Sequence, residues 1–156
     1  MPLQVTGRAG RADKPGEVLI QTFHPDNPAF AALAHHDYRE FGNFALGERQ
    51  AAQYPPFSYL ALMRAESPKP DAALAYLRAV HGLAEELGEA EVVHLMDPVP
   101  SPMERRAGRY RAQLLVQAGT RKALHDFLNA WLMQLEREKL GRKVRWSLDV
   151  DPVEMY

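Results

Sequence analysis

The sequence contains no cysteine, which excludes disulfide bonds and thiolate metal sites anywhere in its 156 residues. It also has no apolar run long enough to span a membrane, and Met1 leads into polar, glycine-rich sequence unlike a signal peptide. Neither sign of charge dominates, because 19 basic and 20 acidic residues leave a formal net charge of -1. We therefore expect a cytoplasmic protein that is not strongly basic overall, although a local basic cluster can still bind a phosphate backbone.

From residue 57 onward, the order of periodic segments indicates an α+β fold. Four segments have the alternation or the short apolar runs of strands: "FSYLALMRAE", "EVVHLMDPV", "RYRAQLLVQ" and "KVRWSLDVDP". Two segments have helical spacing: "PKPDAALAYLRAVHGLAEELG" and "TRKALHDFLNAWLMQLEREKLG". The order β-α-β-β-α-β is typical of a ferredoxin-like fold, in which an antiparallel sheet carries two helices on one face.

The two tryptophans are expected in the core of this sheet unit. Trp131 lies on the apolar stripe of the second helix, for which Thr120 is the predicted N-cap. The stripe consists of Leu124, Phe127, Leu128, Trp131, Leu132 and Leu135. Trp146 lies on the inward alternation of the last strand, together with Val144, Leu148 and Val150.

The first 56 residues do not fit this pattern and form an appendage. Residues 1–25 combine a glycine-broken arginine run with a short apolar run, Val18 to Ile20, which predicts a buried strand. Residues 26–56 predict a helical connector, with helices over about 27–35 and 36–53. "QYPPF" ends the connector because proline cannot continue a helix. The expected organisation is therefore 1–25, 26–56 and 57–156.

The opening "LQVTGRAGRADKPGE" contains a spaced arginine pattern, Q-x-x-G-R-x-G-R. It is formed by Gln4, Gly7, Arg8, Gly10 and Arg11. Arginines three apart reach the same side of a helix or tight turn, where two guanidinium groups can stabilise charge on a transferring phosphoryl group. The same spacing also fits a solvated basic turn, and spacing does not separate the two interpretations.

The wider context of this pattern resembles a known family. "QVTGRAGR" resembles motif VI of superfamily 2 helicases, and the longer "QVTGRAGRADKPGEVLIQTFHPDNPAF" resembles the primosomal replication-restart helicases, the PriA (primosomal protein N′) family. "YPPFSYLALMRAE", "DPVPSPMERRAGRYRAQLLVQ" and "VRWSLDVDPVEM" extend the resemblance over nearly the whole chain. It implies the tail of a RecA-like motor lobe, followed by the family's C-terminal domain with its βαββαβ-type sheet.

The resemblance assigns Arg8 and Arg11 as arginine fingers that act only in an intact helicase. The chain has no phosphate-binding loop of the type G-x-x-x-x-G-K-[ST] and none of the family's zinc-binding cysteines. We therefore expect no ATP hydrolysis by this chain alone and no cofactor in it. ATP, Mg²⁺ and structural zinc are expected only in a full-length helicase.

A basic cluster at the turn between the middle strands is the candidate DNA-binding site. Arg105, Arg106, Arg109 and Arg111 surround Tyr110, and four cations beside an aromatic ring suit a phosphate backbone or a stacked base. These arginines also fit a solvated loop, with Arg111 paired to a carboxylate of the sheet. Tyr110 alternates with them and is expected to face the core.

Arg121 and His125 lie one turn apart near the start of the second helix, on its polar side. In the resembled family, the position of Arg121 helps to hold the acidic C-terminal tail of single-stranded DNA-binding protein (SSB). A guanidinium beside a helix start is suited to a terminal carboxylate. His125 replaces the glutamine of the best-known members, and the alternative for both residues is an ordinary exposed helix face.

The remaining polar candidates have structural interpretations. Asp149 and Asp151 share a strand face but have no nucleophile or metal partner, so we expect them to be structural, or to pair with Arg145 and Lys143. His35 and His36 are adjacent and point in different directions on a helix, so the six histidines predict no metal site.

Together these observations favour a C-terminal fragment of a replication-restart helicase that docks DNA and the SSB tail during primosome assembly. Its expected partners are forked or single-stranded DNA, the SSB tail and other primosome proteins. A free-standing ferredoxin-like nucleic-acid-binding module is one alternative, and it predicts aromatic residues on the open sheet face. An acylphosphatase-type enzyme is the other, but "AESPKPD" offers two prolines where backbone N–H groups would cradle phosphate.

Overall fold

A computed structural model describes residues 19–88, 93–138 and 144–153. The chain forms two compact units, which divide after Ala51. Within the described ranges, no helix is both long and apolar enough to cross a membrane.

In its described part, residues 19–51, the first unit contains two helices, α1 (Pro28–Ala34) and α2 (Tyr38–Ala51). The side chain of Asn27 caps α1 by accepting a hydrogen bond from the backbone N–H of Ala29 at 2.9 Å. The two helices predicted for this segment are thus present. Of the strand predicted over Val18 to Ile20, Val18 falls outside the described residues, whereas Leu19 and Ile20 lie outside any strand and Leu19 is 91% exposed. A strand needs a neighbour to satisfy its backbone, and these two residues have none among the described segments.

The second unit contains five strands and two helices in its described part. They are β1 (Tyr59–Ser67), α3 (Ala72–Glu86), β2 (Val93–Leu95), β3 (Val99–Arg106), β4 (Arg109–Ala118), α4 (Arg121–Glu138) and β5 (Arg145–Val150). Every strand pair is antiparallel, and the main order across the sheet is β2-β4-β1-β5. The predicted α+β class with an antiparallel sheet is confirmed.

Strand β3 was not predicted from the sequence. It follows β2 along the same edge of β4: β2 pairs with the Val116–Ala118 end, and β3 pairs with the Arg109–Gln113 end. The segment contains or adjoins three prolines, Pro98, Pro100 and Pro102. Proline has no N–H to donate to a neighbouring strand, so these residues argue against a central strand. An outer strand tolerates them, and the β3–β4 register shifts between Pro100 and Arg105.

Both helices of the second unit cover one face of the sheet. Alternate residues of β1 and β4 point into this core: Ala61, Met63, Ala65, Ala112, Leu114, Val116 and Ala118. The predicted stripe of α4 packs onto them, with Leu124, Phe127, Leu128, Trp131 and Leu135 buried and Leu132 partly buried. Thr120 caps this helix by accepting a hydrogen bond from the N–H of Ala123 at 3.2 Å, as predicted.

Half of the opposite face is closed by the segment that leads into β1. Gln117 of β4 donates from its side-chain amide to the backbone carbonyl of Gln53 and to the hydroxyl of Ser58. Ser58 also donates to the Gln53 carbonyl. Leu60 and Leu62 are buried on this face. The remaining half stays open, and it carries the polar residues considered below.

The last strand differs from its prediction in one respect. Trp146 is the register partner of the core residue Ala65, so it lies on the core face of the sheet as predicted, but 39% of it is exposed. Val150 is similarly exposed, whereas Val144 and Leu148 pack partly against the core. The reason is that β5 forms the edge of the sheet, where a neighbour covers only one side of each residue.

Trp131 has the largest fully buried side chain in the described part of the chain. It is fully buried, its indole N–H donates to the carbonyl of Val80 at 3.0 Å, and its ring lies 5.4 Å from that of Phe127. We expect Trp131→Ala to lower the free energy of unfolding by about 3–5 kcal/mol, because it opens a cavity and removes a buried hydrogen bond. Urea unfolding monitored by circular dichroism measures this. Trp131→Phe keeps most of the volume and is expected to cost less; equal midpoints for wild type and the alanine variant would contradict the packing.

Tyr76 of α3 provides a test by pH. It is buried, its hydroxyl has no hydrogen-bond partner among the described residues, and burial raises the pKa of Tyr76 to about 12. Since the ordinary value is about 10, only the unfolded state ionises between these pKa values, and stability is lost as pH rises through that window. Tyr76→Phe should remove this component and add about 1 kcal/mol at neutral pH. Parallel stability–pH curves for the two proteins, from urea titrations at each pH, would contradict it.

Candidate nucleic-acid interface

The β3–β4 hairpin positions the predicted arginine cluster. Its two-residue turn, Ala107 and Gly108, has positive φ values of 49° and 75°, which is the geometry that matches the twist of paired strands. The turn places Arg105 opposite Tyr110 and Arg106 opposite Arg109. The sequence thus brings the predicted residues together at the hairpin tip.

The strand alternation divides the predicted cluster between two faces. The guanidinium carbon of Arg105 lies 5.3 Å from the centre of the Tyr110 ring, on the side of the sheet that carries the helices. Arg109 and Arg111 are on the opposite, helix-free side, together with Arg106. Arg105 with Tyr110 therefore form a separate cation–π pair.

Two further arginines, Arg64 of β1 and Arg145 of β5, lie on the helix-free face and were missed in the sequence. The register aligns Arg145 with Glu66 and Glu66 with Arg111, so these side chains form a row across three strands. Both arginines alternate with core residues along their strands, which predicts that they face away from the core. The sequence does not show which strands are neighbours, so it could not place them beside the hairpin arginines. The helix-free face therefore carries five arginines: Arg64, Arg106, Arg109, Arg111 and Arg145.

Two carboxylates on the same face partly balance these charges. Glu66 lies 3.4 Å from a guanidinium nitrogen of Arg145 and 3.8 Å from Nε of Arg109. Asp149 lies 3.1 Å from Arg64. Asp149 thus has a structural ion pair, as one of the two predicted interpretations expects, and its partner is Arg64 because the β1–β5 register places Arg64 near it. Five guanidinium groups against Glu66, Asp149 and Asp97, which lines a groove farther along the same face, leave this face positively charged.

A polar groove of about 310 Å³ opens among these side chains. Its walls and floor are formed by Arg64, Ala65, Glu66, Arg111, Arg145, Trp146 and Ser147. Guanidinium groups around a recess of this kind supply donors in the fork geometry that phosphate oxygens accept.

A second groove, of about 380 Å³, lies farther along the same face and is mainly apolar. It is lined by Tyr54, Leu62, Met96, Asp97, Val99, Gln113 and Leu115. Leu62 and Leu115 are register partners and form its floor. The sequence did not predict this groove, because Tyr54 and Met96 come from segments outside the strands.

The second predicted site lies at the start of α4. Arg121 is the first residue of this helix; its guanidinium lies 5.4 Å from the centre of the Tyr59 ring and 3.3 Å from the Asp151 carboxylate. Its side chain is 64% exposed, and His125 is exposed one turn later. Lys143, one of the two predicted partners of Asp149 and Asp151, lies outside the described residues, and the structure pairs Asp151 with Arg121.

The other sequence candidates add no site in the described part of the chain. Gln4, Gly7, Arg8, Gly10 and Arg11 fall outside the described residues. Within the described ranges, no group of three histidine or carboxylate side chains is close enough to hold a metal ion.

The fold and its charged surface define an α+β domain with a helix-covered core and a cationic open sheet face. A family model described as "Primosomal protein N C-terminal domain" matches residues 50–153. The chain belongs to this family, and the resemblance found in the sequence is confirmed.

Proteins named "Replication restart protein PriA" are similar along almost the whole chain. The Haemophilus influenzae protein is 37% identical over 98% of this chain, the Synechocystis protein 35% over 96%, and the Bacillus subtilis protein 33% over 97%. The chain spans only 20%, 17% and 19% of those proteins, respectively. Among solved structures, the de novo designed protein Foldit4 aligns with 62% of this chain and 99% of its own, at 9% identity and a TM-score of 0.44.

Proposed function

We propose that this chain is the DNA- and SSB-docking part of a replication-restart helicase and acts in primosome assembly. The observation that carries the proposal is the arginine-rich face formed by β5, β1, β4 and the β3–β4 hairpin. The arginines of this face outnumber its carboxylates, and guanidinium groups bind phosphates irrespective of base sequence. The similarity to replication restart proteins supports DNA as the source of these phosphates.

The second unit also supports a ferredoxin-like topology. In the order β2-β4-β1-β5, the central neighbours are β1 and β4. Because β2 and β3 pair with the same edge of β4 and together take the place of one strand, β1 and β4 correspond to the first and third strands of that fold. The free-standing module of the same topology is less well supported. It uses aromatic residues at the open positions of its strands, and here the described positions carry arginine, glutamate, glutamine, leucine and similar side chains.

The Arg121 region is the proposed site for the acidic SSB tail. Arg121 already holds one carboxylate, that of Asp151, beside an aromatic ring and at a helix start. A terminal carboxylate of the tail would replace Asp151 there, with His125 one turn along the same helix.

The assignments for the start of the chain stay proposals of the same kind. Residues 1–25 would complete a RecA-like motor lobe, residues 26–56 would connect it to the domain over 57–156, and Arg8 and Arg11 would act on ATP bound elsewhere in an intact helicase. Mg²⁺ and structural zinc would be held by parts of that helicase other than this chain.

The DNA role is tested by removing a hairpin charge. We expect Arg106→Ala, which removes the exposed hairpin charge on the helix-free face, to weaken binding of fork DNA about tenfold at low salt, because a cation near the phosphates is lost. Fluorescence anisotropy with a labelled fork measures the change. Arg78→Ala, which removes an exposed charge from α3 on the covered side, is the control. Equal losses in the two proteins would show that only net charge matters.

The SSB role is tested at Arg121 and its present partner. Arg121→Ala should weaken binding of a peptide with the acidic SSB tail about tenfold, since a charge-assisted hydrogen bond is lost. Asp151→Asn removes the competing carboxylate and should strengthen binding by up to about fivefold. Nuclear magnetic resonance titration measures both. An unchanged affinity in the alanine variant would refute the site.

A further inference from the structure

The polar and apolar grooves are two parts of one surface. Three consecutive rungs of the β1–β4 ladder connect them on the helix-free side: Leu62 opposite Leu115, Arg64 opposite Gln113, and Glu66 opposite Arg111. Adjacent rungs on one face are two residues apart, or about 6.6–6.8 Å. The apolar floor is therefore about 13 Å from the Glu66–Arg111 rung, which lies in the polar groove.

The polar groove already holds an anion in the form of a side chain. The Glu66 carboxylate lies between Arg109 and Arg145, at 3.8 Å and 3.4 Å, and Arg111 faces it across the ladder. Glu66 is one negative charge among several guanidinium groups, so the recess can accept a second anion. A phosphodiester carries one negative charge and presents oxygens to several donors at once.

The apolar groove has the properties of a site for a flat ring. Leu62, Leu115, Met96 and Val99 supply apolar surface, and Tyr54 adds an aromatic side chain. Asp97 at the lining provides a carboxylate that can accept a hydrogen bond from an amide or amino group. An unstacked nucleobase combines an apolar ring with such donors at its edge.

We infer that this face binds single-stranded DNA, with a phosphate in the polar groove and an unstacked base in the apolar groove. The inference rests on the proposed DNA role and specifies its ligand and its residues. A single strand presents phosphates and free bases together, whereas the bases of a duplex are paired and stacked inside. Arg64, Arg145 and the apolar groove thereby join the DNA-contacting surface, and no base sequence is preferred because the contacts are charge and apolar area.

The methionines of the chain are suitable reporters. Met96 lines the apolar groove, Met103 is 56% exposed on β3 near the hairpin tip, and Met133 is 58% exposed on α4. We propose to label methionine methyl groups with ¹³C in the full chain, to assign them by Met→Leu substitution, and to titrate with a short oligo-dT strand. A duplex of equal length forms the second arm.

The inference predicts that the single strand shifts the Met96 methyl signal and leaves Met133 unmoved. A shift of Met103 with Met96 unmoved would overturn the inference but leave the DNA role of the hairpin intact. No shift at any of these residues would refute both. An equal or larger shift of Met96 with the duplex would overturn the assignment of the ligand as a single strand.

Variants of the polar groove test whether the two grooves act together. Arg145→Ala should weaken oligo-dT binding, followed at Met96, by about tenfold, although Arg145 is not part of the apolar groove. Glu66→Gln should strengthen binding by about two- to fivefold, because it removes the internal anion. Arg78→Ala on α3 is the matched control and should leave the Met96 titration unchanged. An Arg145→Ala curve identical to the control, or weaker binding by Glu66→Gln, would overturn the shared site.

Discussion

The antiparallel pairing of β1 with β4 is the constraint on which the rest of the second unit depends. Its nine rungs, from Tyr59–Ala118 to Ser67–Tyr110, fix which residues of both strands share a face. A slip of β1 by one residue would bring Arg64 under the helices and expose Met63, and a slip of β4 by one residue would do the same to Arg111 and Leu114. Core formation and the exposure of the arginines are therefore consequences of the same register.

The two faces of the sheet have different roles. Small and medium apolar residues of β1 and β4 accept α3 and α4 on one face, where Trp131 fills the space between helix and sheet and bonds to Val80. The other face carries neither α3 nor α4 and divides into an apolar half and an arginine half. Stability therefore comes mainly from the core face. The other face can carry charged side chains because they remain in contact with water, whereas a packed core would not tolerate them.

Local patterns predicted the parts of this structure that depend on neighbours in sequence. The stripe of α4 and its Thr120 cap follow from helix spacing and end signals. Strand β3 was missed because prolines disguise an outer strand. Other features depend on which strands are adjacent and in which register, and the alternation within a single strand shows neither. These features are the partners of Asp149 and Asp151 and the positions of Arg64 and Arg145. Family resemblance, by contrast, was readable from the motifs themselves.

The most direct test of the account is the salt dependence of single-stranded DNA binding with and without Arg111. Since Glu66 is paired with Arg109 and Arg145, Arg111→Ala removes one cation of the open face without breaking those ion pairs. If Arg111 neutralises a phosphate, the slope of log Kd against log salt concentration decreases by about 0.7 relative to wild type. Parallel lines for the two proteins would contradict phosphate binding on this face.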